Sequence, residues 1–502
     1  MLGLNDKLKD LARHGKSIGV AVAGLGQMGL SLASHLNGLK GFKLCAVCDI
    51  DLKKTNLLKQ CLNVAADRIF VHENKEISPA AEPSSKRFST SGISKENLYA
   101  TGTQKRYFPE SFLSDLNGIE DIFRTGGSFV SSLNPGSRTV RRINSEVEKN
   151  SIVFTNDFSV FTSIDSVDAV IDATGYPLAG GEIAFASLLA GKDLISLNVE
   201  TDVTLGPLFK KIASKKDAVY TLSAGDEPAV LKELYDFADG LGFKIVCAGK
   251  GKNNPLDRYA NPATLEEYAR SKGSSGKMMT TFVDGTKSMV EMACLSNATG
   301  LVPDCRGMHG PHANIKDIAS TLCHKNDGGI LTREGVVDFV IGDLAPGVFL
   351  VYKTDNNLVK DVISYLNLGS GPNYLIYKPY HLTSIETPLS IALAYFERQP
   401  WIAPGYGGLV SEVITAAKMD LKAGDIIDGI GGYTVYGLID DYKTAVENCC
   451  LPIGLSKGCV LKRDIRKDYL LTYDDVEFAG DSLLLRLRKI QDSQIQYMQK
   501  IH

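Results

Sequence analysis

The chain has no long apolar run, no marked excess of either charge, no internal repeat and no cysteine spacing of a disulfide framework. Each absence removes a class of protein. A membrane-spanning helix needs about 18 or more consecutive apolar residues, and none of that length occurs. A formal net charge of -3 over 502 residues gives no electrostatic footing for nucleic acid or for an anionic membrane. The opening MLGLNDKLKDLARHGKSIGVAV is charged and helix-like. Its apolar run is broken by glycines and is too short for a signal peptide, so the expected location is the cytoplasm. Ten cysteines, most of them in apolar runs, read as free buried thiols in a reducing compartment. Cys45 and Cys48 spell C-x-x-C, but within a strand, where residues three apart point to opposite faces and share neither a metal nor a disulfide.

What is present is ordinary soluble composition, 44% hydrophobic and 23% charged, in a chain long enough for roughly three domains. SIGVAVAGLGQMGLSLASHL reads as strand, glycine turn and helix, and FKLCAVCDI as the next strand. Continuous apolar strands alternating with helices predict an α/β unit, a doubly wound parallel sheet covered on both faces. From about 72 to 142 the chain turns polar, which predicts an insertion, partly ordered at best, whose SSKR and TVRR stretches read as solvated loop, with a regulatory or partner-contacting role as the alternative. Regular patterning returns at VDAVIDATGYP, DLISLNVE and AVYTLSAGDEP, taken as strands four, five and six of the same sheet. Residues 229–404 then mix strands such as FKIVCAGKG and GVFLVYK with a helix around Lys287, a separate α+β unit. A glycine-rich piece with short strands follows over 405–480, and a helix over 481–502 closes the chain.

Gly24-x-Gly26-x-x-Gly29 lies between the first strand and helix, the setting in which such a turn holds a dinucleotide. Gly24 permits the tight turn, Gly26 admits the pyrophosphate and Gly29 lets helix and strand pack closely. Leu25, Gln27 and Met28 complete the cradle. Asp49 ends the second strand 20 residues after Gly29, where a ribose-binding acid belongs. A carboxylate beside a 2′-phosphate would cost about 3 kcal/mol at an effective dielectric of about 20, which favours NAD. Lys53 and Lys54 follow closely, so NAD and NADP both stay open. Thr174 and Gly175, in the Asp172-Ala173-Thr174-Gly175 turn, are expected along the nicotinamide ribose.

Further motifs make the chain recognisable. Asn198-Val199-Glu200, Gly225-Asp226-Glu227-Pro228, Ala248-Gly249-Lys250-Gly251, Asp284-Gly285-Thr286-Lys287-Ser288, Asn297-Ala298-Thr299-Gly300-Leu301 and Tyr377-Lys378-Pro379-Tyr380-His381-Leu382 come in one order. With TAAKMDLKAGDIID, LPIGLSKG and VLKRDIRKDYLLTYDDV, the chain resembles the homoserine-dehydrogenase-like oxidoreductases that carry a carboxy-terminal SAF domain. Within them it looks most like the 1-deoxy-D-xylulose-5-phosphate reductoisomerase-like enzymes. The resemblance spans nearly everything outside 72–142. It implies a Rossmann domain over 1–228, a catalytic and dimerisation domain over 229–404, a SAF domain over 405–480 and a homodimer. It also implies reduction of a small polar carbonyl substrate by NAD(P)H, which in the reductoisomerase-like members is coupled to isomerisation of a sugar phosphate and assisted by Mg²⁺ or Mn²⁺. Homoserine dehydrogenases have Asn-Lys where this chain has Asn198-Val199, which argues against homoserine oxidation itself.

Hydride transfer to a carbonyl leaves an oxyanion, which needs a cation or proton donor. Lys250 and Lys252 end an apolar strand between glycines, as a site or as a solvated turn. Asp284 and Lys287 are three apart at a helix start, hence on one face, and the family motif coincides with them. Asp284 as an N-cap is the plain alternative. Glu291 lies one turn further on. Glu200, Asp226 and Glu227 follow strands of the first sheet, where carboxylates could hold Mg²⁺ or Mn²⁺. His381 is a neutral-pH acid–base candidate. Cys305, His309, His312, Cys323 and His324 fit no closed zinc pattern.

Overall fold

The computed structural model describes residues 3–75, 77, 137–405 and 407–501. Helix α1 (Leu4–Arg13) precedes strand β1 (Ile18–Ala23), whose six residues are all buried because helices cover both faces of its sheet. The glycine turn leads into α2 (Gln27–Gly38), then β2 (Phe42–Cys48) and β3 (Ile69–His72). Most of the polar insertion, including SSKR, lies outside the described residues. Its TVRR end sits on α3 (Arg138–Glu148), which buries Val140, Ile143 and Val147.

Strand β4 (Ile152–Thr155) follows, then β5 (Ala169–Asp172), α4 (Pro177–Leu189), β6 (Asp193–Ser196), α5 (Val199–Lys215) and β7 (Tyr220–Leu222). These strands form one parallel sheet of seven in the order β3-β4-β2-β1-β5-β6-β7. The sequence reading is corrected here. Its fourth to sixth strands are the fifth to seventh, because IFVH and IVFT are strands of only four residues beside the polar segment. β3 and β4 are parallel neighbours and so need a crossover. Helix α3 lies within that connection.

Chain order reverses on either side of β1, so a crevice opens beyond the carboxyl ends of β1 and β5. Helix α6 (Glu227–Gly240) leads from that edge into β8 (Lys244–Lys252). α7 (Gly276–Val283), α8 (Thr286–Thr299), β9 (Val302–Pro303), β10 (Val336–Ile341), β11 (Val348–Lys353) and β12 (Tyr374–Lys378) come next. The second sheet is mixed, in the order β12-β11-β8-β10-β9. All but three residues of α8 are buried, with apolar groups on every side, as befits an internal helix. It packs against α5 and α6 and against the carboxy-terminal strands, so its polar residues sit where the units meet.

Helix α9 (Thr387–Glu397) turns back onto the first sheet, buries Ile391 in that sheet's core and packs on α1. Residues 387–402, grouped by the sequence with the second unit, therefore cover the first, and Leu222 bridges to Ile402. The last unit pairs β13 (Ser411–Ala417) with β14 (Val435–Asp441), and β15 (Val460–Leu461) with β16 (Val476–Glu477). Helix α10 (Leu483–Ile501) lies across α4 and α5. Its buried Arg488 pairs with Glu412 of β13 and with Asp492 at 2.7 Å, fastening that unit to the first. Among the described residues no helix is long and apolar enough to cross a membrane.

Candidate active site

The glycine turn has the form the sequence predicts. Gly24 has φ 93°, and a Cβ there would lie 2.7 Å from the Ala173 carbonyl oxygen. A Cβ on Gly29 would lie 1.9 Å from the Gly24 carbonyl oxygen. Gly26 caps α2 without a side chain and would meet nothing within 4 Å. Gly26, Gln27 and Met28 are exposed, so the positive end of α2 faces open space, as a diphosphate site requires. Ser384 packs beside this end, its hydroxyl 3.6 Å from Met28 Sδ.

Asp49 does something the sequence did not reveal. Its Oδ2 accepts from the Leu25 amide at 2.8 Å and from Lys54 Nζ at 2.8 Å, and its Oδ1 accepts from the Asp51 amide at 3.0 Å. The acid thus braces the glycine turn. Lys54 offsets its charge and removes most of the repulsion that favoured NAD over NADP. Thr174 is braced as well: its amide and hydroxyl donate to Asp172 Oδ1 at 2.9 and 2.6 Å. Buried Asn198 links Asp172 at 3.0 Å to the start of α5, where its Oδ1 accepts from the Thr201 amide at 3.1 Å. Gly175 follows in a turn whose Cβ position is open.

Behind this edge lies a cluster of charged side chains drawn from four elements. Lys250 Nζ from β8 donates to Glu227 of α6 at 2.6 Å and to Glu291 of α8. Lys287, one turn before Glu291, pairs with Glu200 of α5 at 3.0 Å. Burial alone would lower both lysine pKa values, but Glu227 and Glu291 for Lys250, and Glu200 and Glu291 for Lys287, hold them above the ordinary lysine range. Burial and the adjacent Glu227 push the Asp226 carboxyl well up. Burial would raise Glu227 as well, yet Lys250 and His381 bring it below the usual range. The two adjacent carboxyls titrate as a pair, and of the two Asp226 is the one on which burial favours a proton.

His381, after β12, joins the cluster. Its Nδ1 donates to the Gly225 carbonyl at 2.9 Å, leaving Nε2 toward Glu227 Oε1 at 3.5 Å. Ligand atoms of Asp226, Glu227 and His381 lie within 4.8 Å of one another, the one group among the described residues that could hold a metal. Glu200, the third ligand expected from the sequence, is bound to Lys287 and is replaced in that group by His381. The zinc candidates are not gathered: His309 pairs with Asp304 at 2.8 Å, and His324 Nε2 lies 3.1 Å from the Thr332 carbonyl.

Asp284 is engaged by the carboxy-terminal unit and also acts on Lys252 through its charge. It ends α7, accepts from the Thr286 amide at 2.8 Å and pairs at 2.8 Å with Lys418, just past β13. The one-face argument does not apply, because Gly285 separates α7 from α8. The sequence understated Lys252. It is buried, donates to the Phe282 carbonyl, and its pKa is pushed down to about 8 by burial and then by the charge of Lys250.

A cavity of about 630 Å³ opens beside the cluster. It runs from Thr174, Gly175 and Tyr176 past Glu200 to α7 and the carboxy-terminal unit.

Residues 225–387 match the family described as Oxidoreductase DRL, catalytic domain. No curated protein matches the chain. Similar solved structures include 1-deoxy-D-xylulose 5-phosphate reductoisomerase from Zymomonas mobilis in complex with NADPH, at 12% identity and TM-score 0.30, covering 55% of this chain. The alignment spans only 57% of that reductoisomerase. Another is scyllo-inositol dehydrogenase from Lactobacillus casei with NAD(H) and scyllo-inositol, at 12% identity and TM-score 0.33, covering 77% of this chain and 91% of the other. The family match begins at Gly225 and ends just past His381, so it encloses Asp226, Glu227, Lys250, Lys287, Glu291 and His381. With that match set behind an open glycine-rich turn on a doubly wound parallel sheet, the chain is an NAD(P)-dependent oxidoreductase.

Proposed function

We propose that the protein reduces a small polar carbonyl compound with NAD(P)H, at the cluster centred on Lys250 and Lys287. The observation that carries the reading is the buried pair of lysines, each kept charged by carboxylates, at the carboxyl edge where a nicotinamide bound along Gly24–Gly29 would end. Hydride delivered to the carbonyl carbon moves an electron pair onto oxygen, and a preorganised ammonium group stabilises that oxyanion at little reorganisation cost. We assign proton supply to Lys252, a reading supported by its pKa near 8, which leaves it mostly charged but willing to give the proton up at neutral pH. Activity in the reducing direction is therefore expected to fall as pH rises through about 8. Lys252→Met should flatten that limb and lower the plateau; a profile unchanged by the substitution removes Lys252 from proton transfer.

The Asp226–Glu227–His381 group favours a finer reading, reduction coupled to isomerisation of an α-hydroxycarbonyl such as a sugar phosphate, over simple hydroxy-acid dehydrogenation. Two carboxylates and an imidazole suit Mn²⁺ or Mg²⁺, which when bound polarises the substrate oxygens it holds. The bond from His381 Nδ1 to the Gly225 carbonyl orients the ring, with Nε2 on the side of Glu227. We also read residues 405–480 as the SAF domain, and the enzyme as a cytoplasmic homodimer, a setting that ten free cysteines suit.

The test is a screen of carbonyl compounds and sugar phosphates with NADPH and NADH, each with and without Mn²⁺, following products by NMR. Cofactor oxidation with altered carbon connectivity supports the finer reading. Oxidation without rearrangement leaves the simple dehydrogenase. NAD(P)H that neither quenches nor shifts in fluorescence on titration overturns the assignment as a whole, and binding without turnover of any substrate leaves a non-catalytic sensor.

A further inference from the structure

The cavity beside the cluster has two lysines on one wall. Lys277, in the first turn of α7, has its Nζ 6.0 Å from the centroid of the Tyr176 ring. Lys457, in the turn before β15, has its Nζ 5.5 Å from the same centroid. All three residues line the cavity, and they come from three parts of the chain. Tyr176 follows the Thr174-Gly175 turn expected along the nicotinamide ribose, so this wall adjoins the cofactor.

The electrostatics of the lining are one-sided. Its two carboxylates are each bound to another cation, Glu200 to Lys287 at 3.0 Å and Asp481 to Arg486 at 2.7 Å. Among the described residues Lys457 makes no ion pair and is exposed. The amino end of α7 borders the same space through Ser275, Lys277 and Met278, adding its partial positive charge. Two ammonium groups within 6.0 Å of one ring centroid offer an anion in the cavity two cations to meet. The remaining walls are largely apolar, Leu178, Ile453, Leu455 and Phe478 among them, which strengthens any charge contact made there. A volume of about 630 Å³ is that of a small-ligand site.

We propose that Lys277 and Lys457 form a two-domain clamp for an anionic group of the substrate, a phosphate or a carboxylate, with its carbonyl end toward Glu200, Lys287 and the nicotinamide. The clamp rests on the reductase reading only in taking its ligand to be the substrate. It makes the carboxy-terminal unit part of the active site, because Lys457 belongs to that unit. Specificity follows: neutral analogues of a good substrate lose affinity rather than maximal turnover.

The experiment titrates full-length protein saturated with NADPH, so that the glycine turn is filled. Inorganic phosphate in one arm and acetate in the other serve as probes, with thermal midpoint as readout and chloride as the ionic-strength control. The expected result is saturable stabilisation whose apparent affinity falls about tenfold in Lys277→Ala and in Lys457→Ala, the loss of one charge-assisted contact each, and is kept by Lys457→Arg. The stronger arm identifies the anion. A double Lys277→Ala, Lys457→Ala variant that folds normally and binds both probes as the parent does overturns the clamp. NADPH binding is read separately by its fluorescence. Lysine-dependent phosphate binding without NADPH binding sinks the reductase reading and leaves the anion site standing.

Discussion

Lys250→Met is expected to lower turnover about a thousandfold, the scale on which an oxyanion-stabilising donor is lost, while NAD(P)H affinity stays within about twofold. The methionine fills the space of the lysine stem but brings no charge to the carbonyl oxygen. It also leaves Glu227 and Glu291 facing each other in a site where both side chains are largely hidden from water. An uncompensated buried carboxylate costs about 3–5 kcal/mol until it takes up a proton. The variant is therefore expected to be less stable at neutral pH and to recover as pH falls. The sign follows from linkage: burial and Glu227 already raise the Glu291 carboxyl with Lys250 present, and losing that cation raises it further, so the stability is fully present at low pH and is lost as pH rises through the folded-state value. Adding Glu291→Gln removes one of the stranded charges. Thermal midpoints across pH and steady-state rates separate the two roles. If the double variant regains stability and turnover together, Lys250 is a structural counter-ion and not the catalytic cation. Regained stability without turnover is the expected outcome.

The same cluster shows which features are legible in a sequence. Strand, glycine turn and helix at residues 18–38 are contiguous, and so are the residues that give them their form. Each turn at a strand's carboxyl end, at Thr174, Asn198 and Gly225, can likewise be placed from apolar runs. The pairing across those turns cannot. Lys287 meets Glu200 from a different domain, and Asp284 meets Lys418 from a third unit. The two local readings of Asp284, the favoured site acid and the alternative helix cap, both missed that partner. Asp49 shows a subtler failure: position and residue type pointed to a ribose contact, whereas its oxygens also hold the glycine turn and Lys54. Short strands were lost for another reason. Four apolar residues flanked by polar chain carry too little periodicity to stand out, and β3 and β4 owe their strand form to pairing with each other across the crossover. Lys252 was undervalued because a depressed pKa comes from burial and from Lys250, both products of the fold.

The three glycines of the turn are expected to fail in three different ways when substituted, and the contrast isolates cofactor binding from folding. At Gly29 a side chain would run into the Gly24 carbonyl, which belongs to backbone fixed at both ends. Gly29→Val should therefore lower the thermal midpoint sharply with or without cofactor. At Gly24 the left-handed backbone, φ 93°, costs a non-glycine residue roughly 1–2 kcal/mol even before its contact with Ala173 is counted. Gly26 is the informative position. Its backbone is ordinary for any residue and the space over it is empty, so Gly26→Val is expected to fold with a near-parental midpoint. The valine side chain then occupies the volume through which the diphosphate must approach the amides of α2. Affinity for NAD(P)H is expected to fall by about a hundredfold or more, as binding loses the close contact that the helix dipole and free amides supply. Fluorescence titration and thermal shift on the same preparation read the two quantities independently. A Gly26→Val protein that is stable and binds NAD(P)H as tightly as the parent would mean that the diphosphate does not rest on this turn. The hydride would then have no route to Lys250 along the edge of the sheet.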